Sequence, residues 1–132
     1  MIKIYITQFD HDRLMKLLNQ RAPHDKFDKA LLSELERGEI VEPKDIPPDV
    51  VTMNSHVKLK GANGEKWDFW LVFPENVNLS EGKISVLSPT GCALLGYKVG
   101  QKVTIHTPHK GDHVLEITEV VSQPEREGKF DL

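Results

Sequence analysis

The sixteen residues from Ser88 to Val103, SPTGCALLGYKVGQKV, decide how the second half of this chain folds. Ser88 is a good helix N-cap, and Pro89 suits the first helical position because its fixed φ matches a helix. The apolar residues that follow predict about two helical turns ending at Gly96, and Val99-Gly100 predicts a turn into the next strand. The glycines therefore delimit a short helix between strands. A phosphate-binding loop would need a longer helix after it.

Composition narrows the class of protein. The chain has 132 residues, 39% hydrophobic and 28% charged, and these values are typical of one globular domain. The opening MIKIYIT is too short and polar for a signal peptide, no apolar run is long enough to cross a bilayer, and the single cysteine permits no internal disulfide. We therefore expect a cytoplasmic protein without a membrane partner. A net charge of −3 with scattered basic residues argues against direct nucleic-acid binding.

A proline-bearing segment, VEPKDIPPDVV, separates two differently patterned parts. Proline fixes φ and keeps the preceding residue extended, so residues 43–49 predict a linker. Residues 1–42 predict an N-terminal strand-like segment and a short helical hairpin. Residues 50–132 predict an antiparallel sheet domain with one short helix, and the whole chain is predicted to be α+β.

Two helices are predicted before the linker. The first runs from about residue 8 to 20, where Thr7 and Asp10 form a capping-box-like pair before leucines at helical spacing. The second begins at the cap Asp25 and ends at Gly38, for which we expect the left-handed conformation. Joined by a short turn, they predict an antiparallel coiled coil, an arm of about 20 Å at 1.5 Å per residue.

The sheet domain has one strong turn signal and one aromatic strand. Asn63-Gly64 predicts a tight hairpin, and the strand that returns from it alternates apolar residues. Trp67 and Phe69 share one face of that strand, whereas Trp70 lies on the other. We expect the helical hairpin or the linker to cover Trp70; the alternative is an exposed patch for a partner.

Three groups of residues are candidate sites. His106, His109 and His113 fall within eight residues, but strand alternation points His106 outward and His113 inward, which favours ordinary histidines over a metal site. Cys92 lies in an apolar segment and is predicted to be a buried structural thiol. The carboxylates at the tip of the helical hairpin can cap the second helix and complement its dipole, which we favour, or hold a divalent cation. These carboxylates are Asp25 and Asp28.

The motif SPTGCALLGYKVGQKVTI, followed by P..GD...LEI..V, resembles the C-terminal domain of the bacterial GreA/GreB transcript-cleavage factors. The upstream PPDVVTMNSHVKL and the short helical hairpin resemble the Rnk subfamily, named as regulators of nucleoside diphosphate kinase. The resemblance covers nearly the whole chain and is strongest over residues 47–57 and 88–103. Gln101 stands where the family commonly has Asp, and we expect a capping or turn contact to be lost there without a functional consequence.

The resemblance implies an FKBP-like domain with an N-terminal coiled-coil arm, and RNA polymerase as the partner, bound near its secondary channel. It places the polymerase-binding surface at Ser88, Pro89 and Thr90. Gre factors carry acidic residues at the tip of a much longer arm and deliver Mg²⁺ with them. Asp25 and Asp28 occupy the tip here, but an arm of about 20 Å is too short to reach a deeply buried site.

The sequence therefore leads to three hypotheses. The first is a non-catalytic, Rnk-like regulator without cofactor or metal, which competes with longer-armed Gre factors for RNA polymerase. The second is a Gre-like factor in which Asp25 and Asp28 stimulate transcript cleavage. The third is an FKBP-like prolyl isomerase, although a fold by itself does not confer a function.

Overall fold

The computed structural model describes residues 3–21, 24–107 and 111–129. The helices are α1 (Gln8–Asn19), α2 (Lys26–Arg37) and α3 (Pro89–Cys92). The strands are β1 (Tyr5–Thr7), β2 (Glu39–Val41), β3 (His56–Gly61), β4 (Lys66–Val72), β5 (Lys83–Ser85), β6 (Lys102–Thr107) and β7 (Gly111–Ser122). The architecture is a mixed α+β fold, as the sequence predicts. Within the described ranges, no helix is long and apolar enough to cross a membrane.

The helix boundaries follow from local hydrogen bonds. The Thr7 side chain accepts from the Asp10 N–H at 3.0 Å, and the Asp25 carboxylate accepts from the Asp28 N–H at 2.7 Å, so both predicted caps are confirmed. The predicted left-handed end at Gly38 is wrong, because its φ is −67°. A Cβ atom at this position would lie 2.6 Å from the Ile6 Cδ1 atom, so a larger residue would require the Ile6 side chain to move.

We call the two long helices, α1 and α2, the helix pair. The start of α1 and the end of α2 lie next to each other. β1 precedes α1, β2 follows α2, and the two strands pair in parallel, with Tyr5 opposite Glu39. At the other end the Arg21 Nε atom donates to Asp28 at 3.0 Å. The start of α1 and the end of α2 are therefore held side by side.

The second sheet has five strands in the order β5-β4-β3-β7-β6. The β3–β4 hairpin turns through Gly64, whose φ is +85°, and this confirms the predicted Asn63-Gly64 turn. The expectation of a fully antiparallel sheet is wrong, because β5 pairs with β4 in parallel. Residues 73–82 include two short 3₁₀ turns and carry the chain back along β4, so β5 enters in the same direction.

One hydrophobic core joins the helix pair to the sheet. Leucines on the inner faces of α1 and α2 belong to the same cluster as the buried residues of the sheet and of the segment after α3. Members from the helix pair are Leu14, Leu18, Leu31 and Leu35, and members from the rest include Val51, Met53, Leu71, Leu94, Leu95, Ile105 and Ile117. Burial of this apolar surface therefore holds the helices against the domain.

The predicted linker is fixed to the domain by its backbone. Ile46 is buried, and the carbonyls of Pro47 and Pro48 accept from the side chains of Gln123 and Arg126 at 2.9 and 3.2 Å. Proline leaves a carbonyl without offering an N–H, and side chains from the C-terminal segment satisfy these two carbonyls.

The aromatic side chains of β4 lie on two opposite faces of the strand, as the alternation in the sequence predicts. Trp67 and Phe69 are half-buried and pack against the core. Trp70, on the opposite face, stacks on His56 with ring centroids 4.5 Å apart. It lines a surface groove with Pro124 and Lys129, so its neighbours are β3 and the C-terminal segment and not, as expected, the helices or the linker.

Candidate functional site

We call residues 88–96 the wedge. The Ser88 hydroxyl accepts from the Gly91 N–H at 3.0 Å and donates to the Ser85 carbonyl at 2.6 Å, which confirms Ser88 as the cap of α3. A Cβ atom on Gly91 would lie 1.9 Å from the Ser85 oxygen, so only glycine fits. The helix is shorter than predicted, because turns replace it after Cys92. Gly96 closes the wedge with a φ of +87°.

The wedge forms one side of a groove of about 740 Å³ that it shares with α2 and β6. The groove is lined by Lys26, Phe27, Ala30, Glu34, Pro89, Cys92, Ala93, Tyr97, Lys102, Val103, Thr104 and Asp112. Its lining extends from Lys26 in the first turn of α2 to Glu34 in the third, so α2 lies alongside the wedge. The family resemblance predicts a polymerase-binding surface at Ser88, Pro89 and Thr90. These three residues are half-buried at the start of the wedge.

A polar network fixes α2 near the end of the wedge. Arg37 donates to the Glu34 carboxylate at 2.8 Å and to the Tyr97 hydroxyl at 3.1 Å. The hydrogen bond with Glu34 raises the pKa of Arg37, and burial raises the pKa of Tyr97. The wall of the groove is therefore held by a charge-assisted network.

Cys92 lines the groove, but its thiol has little thiolate character. Its thiol is 8% exposed and lies 3.4 Å from the Pro89 carbonyl, to which it donates. Burial raises the pKa of this thiol to about 11. A nucleophilic cysteine has a lowered pKa, so Cys92 is a structural residue, as predicted.

Gln101 makes a turn contact at the position where we expected that contact to be lost. Its side-chain Oε1 atom accepts from the Lys98 N–H at 3.0 Å, and its main-chain carbonyl accepts from the Ile117 N–H at 3.0 Å. That expectation is therefore wrong, because glutamine offers the same acceptor oxygen as aspartate on a longer side chain.

The two carboxylates at the end of the helix pair are both engaged within the chain. Asp25 is exposed, and the hydrogen bond from the Asp28 backbone N–H lowers the pKa of its carboxyl group. Asp28 is fully buried and pairs with Arg21 at 3.0 Å. They do not form an open pair for a cation, and the capping role accounts for Asp25.

The histidines are not gathered into a site. His113 is half-buried beside Trp67, with ring centroids 5.8 Å apart, which agrees with its predicted inward direction. His109 and the side chain of His106 lie outside what the structure describes. In the ranges that are described, no group of three His, Cys, Asp or Glu residues could hold a metal ion.

A buried polar cluster was missed by the sequence analysis. Asp10 is 1% exposed, accepts from the Met53 N–H at 3.1 Å and pairs with Arg13 at 2.6 Å. Glu125 is also buried and accepts from the Thr52 hydroxyl at 2.7 Å. Burial raises the pKa of both carboxyl groups. Asp10 carried a signal as part of a cap, but nothing near it in sequence indicated its distant partner.

Comparisons with known proteins agree with this architecture. A family model described as "Transcription elongation factor, GreA/GreB, C-term" matches residues 46–122, and one described as "Rnk N-terminus" matches residues 3–41. The chain is 37% identical over 131 residues to the regulator of nucleoside diphosphate kinase of Escherichia coli K12, covering 98% of this chain and 96% of that protein. It is 42% identical over 93 residues to GreA of Prosthecochloris aestuarii, and this match spans 58% of that factor.

A solved structure extends the likeness to three dimensions. The GreA/GreB elongation factor from Nitrosomonas europaea superimposes with a TM-score of 0.80 at 38% identity, covering 92% of this chain and all of that one. The chain therefore belongs to the GreA/GreB transcription elongation factor family, within its Rnk (regulator of nucleoside diphosphate kinase) group.

Proposed function

We propose that the chain is a non-catalytic regulator that binds RNA polymerase near its secondary channel and competes there with longer-armed Gre-type factors. In this proposal the helix pair of residues 1–42 acts as a short antiparallel coiled-coil arm, residues 43–49 connect it, and residues 50–132 form an FKBP-like docking domain. The cytoplasm is the proposed location, because the proposed partner works there. By analogy with its E. coli relative, the chain would influence nucleoside diphosphate kinase.

The position of α2 carries the proposal. Each helix of the pair has 12 residues, or about 18 Å at 1.5 Å per residue, and α2 lies beside the wedge from Lys26 to Glu34. A helix pair that is short and packed along its own domain has little reach beyond it. The protein would therefore occupy a site on the polymerase without extending to the catalytic centre.

The polymerase contact is proposed for Ser88, Pro89 and Thr90. Both hydrogen bonds of the Ser88 hydroxyl hold this edge rigid, and rigid edges lose little entropy when they bind. The three residues adjoin the groove, so a partner can contact the edge and the groove together.

The two other hypotheses have less support. Transcript cleavage would need free carboxylates, whereas Asp25 caps α2 and Asp28 is buried against Arg21. Prolyl isomerisation would need an open aromatic pocket. Trp67 and Phe69 pack against the core instead.

The proposal is tested with purified RNA polymerase and a long-armed GreA. We expect the chain to bind the polymerase, to displace labelled GreA in proportion to its concentration, and to inhibit GreA-stimulated cleavage in stalled complexes without cleaving by itself. A Pro89→Ala, Thr90→Ala double variant that keeps its fold should compete less well. Failure of the wild-type chain to bind the polymerase would refute the proposal, and cleavage by the chain alone would support the second hypothesis.

A further inference from the structure

We propose that the groove between α2, the wedge and β6 receives an acidic, partly apolar protein segment of the polymerase, whose carboxylates contact Lys26 and Lys102. This inference rests on the proposed function, because it gives the chemistry of the partner segment at the same surface.

The base of the groove suits apolar side chains. Phe27 and Ala93 are half-buried there, Val103 is buried, and Ala30 is exposed on the α2 wall. The volume of about 740 Å³ lies within the range of about 300–1,000 Å³ that is usual for ligand-binding clefts. Covering this surface with apolar side chains of a partner would remove it from water and so favour association.

The charged side chains that line the groove differ in the interactions that they make within the chain. Glu34 is paired with Arg37 at 2.8 Å, and Asp112 has an interaction of its own within the chain. Lys26 on α2 and Lys102 on β6 have no ion-pair partner among the residues that the structure describes. The Lys26 ammonium lies 5.1 Å from the centre of the Phe27 ring, so its charge stays close to the groove.

These two lysines stand on opposite walls, so a segment lying between them can meet a positive charge on each side. Carboxylates are the complementary groups, and complementary charges steer association and fix the register of a bound segment. The two lysines therefore favour binding of an acidic segment. The apolar base favours a segment that also carries hydrophobic side chains.

A nucleic acid fits this surface less well than a protein segment. Duplex DNA carries about one phosphate charge per 1.7 Å, and its binding sites present many basic residues. Here the chain has a net charge of −3, and the exposed carboxylate of Asp25 lies next to Lys26. A protein segment can place a few carboxylates on the walls and apolar groups on the base.

The backbone of β6 offers additional contacts. Within the described sheet, β6 is an edge strand with β7 on one side only, so its outer N–H and C=O groups can hydrogen-bond to the main chain of a partner. Lys102, Val103 and Thr104 of this strand line the groove directly.

The test compares charge reversals at two places on the same domain. The double variant Lys26→Glu, Lys102→Glu reverses the positive charges on the two sides of the groove. The matched control is Lys58→Glu, Lys60→Glu, which reverses two charges on the exposed face of β3. We expect the first double variant to bind polymerase about tenfold or more weakly and with a smaller salt dependence, and the control to stay within about twofold. Thermal unfolding checks that both are folded; if the groove variant is not, Lys26→Gln and Lys102→Gln replace it.

A cross-linking experiment identifies the partner segment. Ala30→Cys carrying a benzophenone places a photoreactive group on the α2 wall, because Ala30 is exposed. We expect the captured polymerase peptide to contain several Asp or Glu residues, and reversal of those residues to Lys to restore binding of the Lys26→Glu, Lys102→Glu variant.

The possible failures are distinguishable. If the wild-type chain does not bind polymerase, the proposed function is refuted before any variant is compared. If it binds but the groove variant stays within twofold of wild type, or if the captured segment is basic or nucleic acid, the polymerase is bound and the acidic segment is refuted.

Discussion

The carboxylate of Asp10 accepts a hydrogen bond from the backbone N–H of Met53 at 3.1 Å, and so joins two segments that are 43 residues apart. Asp10 belongs to the helix pair, whereas Met53 precedes the first strand of the large sheet. The same carboxylate pairs with Arg13. One buried acidic residue therefore connects the two parts of the molecule that the sequence pattern separates.

Replacing Asp10 by alanine should destabilise the protein strongly. The change removes the buried carboxylate that accepts from the Met53 N–H and pairs with the Arg13 guanidinium, and such a loss costs about 3 kcal/mol. Urea unfolding followed by circular dichroism measures the free energy of unfolding. Asp12→Ala is the control, since Asp12 is exposed two residues away, and it should change that free energy by less than about 0.5 kcal/mol. Equal effects of the two substitutions would contradict the prediction.

The buried carboxyl groups should make stability depend on pH. Burial raises the pKa of Asp10 above its ordinary 3.8 and that of Glu125 above its ordinary 4.5, so the folded protein binds these protons more tightly than the unfolded chain. Their contribution is present below the ordinary values and is lost as the pH rises through the raised ones. Asp25, whose pKa is lowered, acts in the opposite direction and only below 3.8.

We therefore expect Asp10→Asn to reduce the fall in unfolding free energy as the pH rises above 3.8, the ordinary pKa of Asp10, because it removes one of the two groups. Urea titrations of wild type and variant across that range measure the slope. An unchanged slope in the variant would show that Asp10 keeps an ordinary pKa in the folded protein.

Gly91→Ala should disrupt the wedge. The new Cβ atom would lie 1.9 Å from the Ser85 carbonyl oxygen, and backbone on both sides would have to move. We expect a loss of about 3 kcal/mol or more in unfolding free energy. Gly64→Ala is the control: it adds strain from a φ of +85° but meets no atom within 4 Å, so it should cost only about 1 kcal/mol. Similar losses at both positions would exclude the steric explanation.

Asp25→Ala should weaken the start of α2 without affecting polymerase chemistry. Loss of the cap to the Asp28 N–H costs about 1 kcal/mol of stability. Asp25→Asn keeps a capping oxygen and should retain most of that stability. Transcript cleavage in stalled polymerase complexes should be the same with wild type and both variants. A rate that falls equally with Ala and Asn would instead indicate a catalytic carboxylate.

The Cys92 thiol should react slowly in the folded protein. With a pKa of about 11, roughly one thousandth of the thiol is ionised at about pH 8, and the thiolate is the reactive form. Alkylation monitored by mass spectrometry should therefore be much slower for the native chain than in urea. Comparable rates in the two states would show that the wedge opens readily.

Local signals in the sequence predicted local structure well. Thr7, Asp25 and Ser88 cap the three helices, and Asn63-Gly64 turns the first hairpin. Each of these features depends on hydrogen bonds or φ values within three or four residues. The order of two helices, a linker and a strand-rich part with one short helix also followed from these signals, and the family resemblance added the expected partner and docking surface.

Features that depend on distant residues were missed or wrong. Gly38 is extended because the chain enters β2 at the next residue and pairs there with β1, and β5 is parallel to β4 because of the path of the preceding turns. The burial of Asp10 depends on an N–H that lies 43 residues later. At the candidate site, the caps and the wedge could be predicted, whereas the groove could not, because it exists only where α2, α3 and β6 meet.

The parallel pairing of β1 with β2 has an evolutionary consequence. Since α1 begins and α2 ends at this pair of strands, equal numbers of whole turns could be added to α1 after Leu18 and to α2 before Leu31 without changing the register of Tyr5 with Glu39. Reach and attachment are then separate traits. Selection could lengthen or shorten the projecting part of such a protein while its attachment to the domain stayed the same.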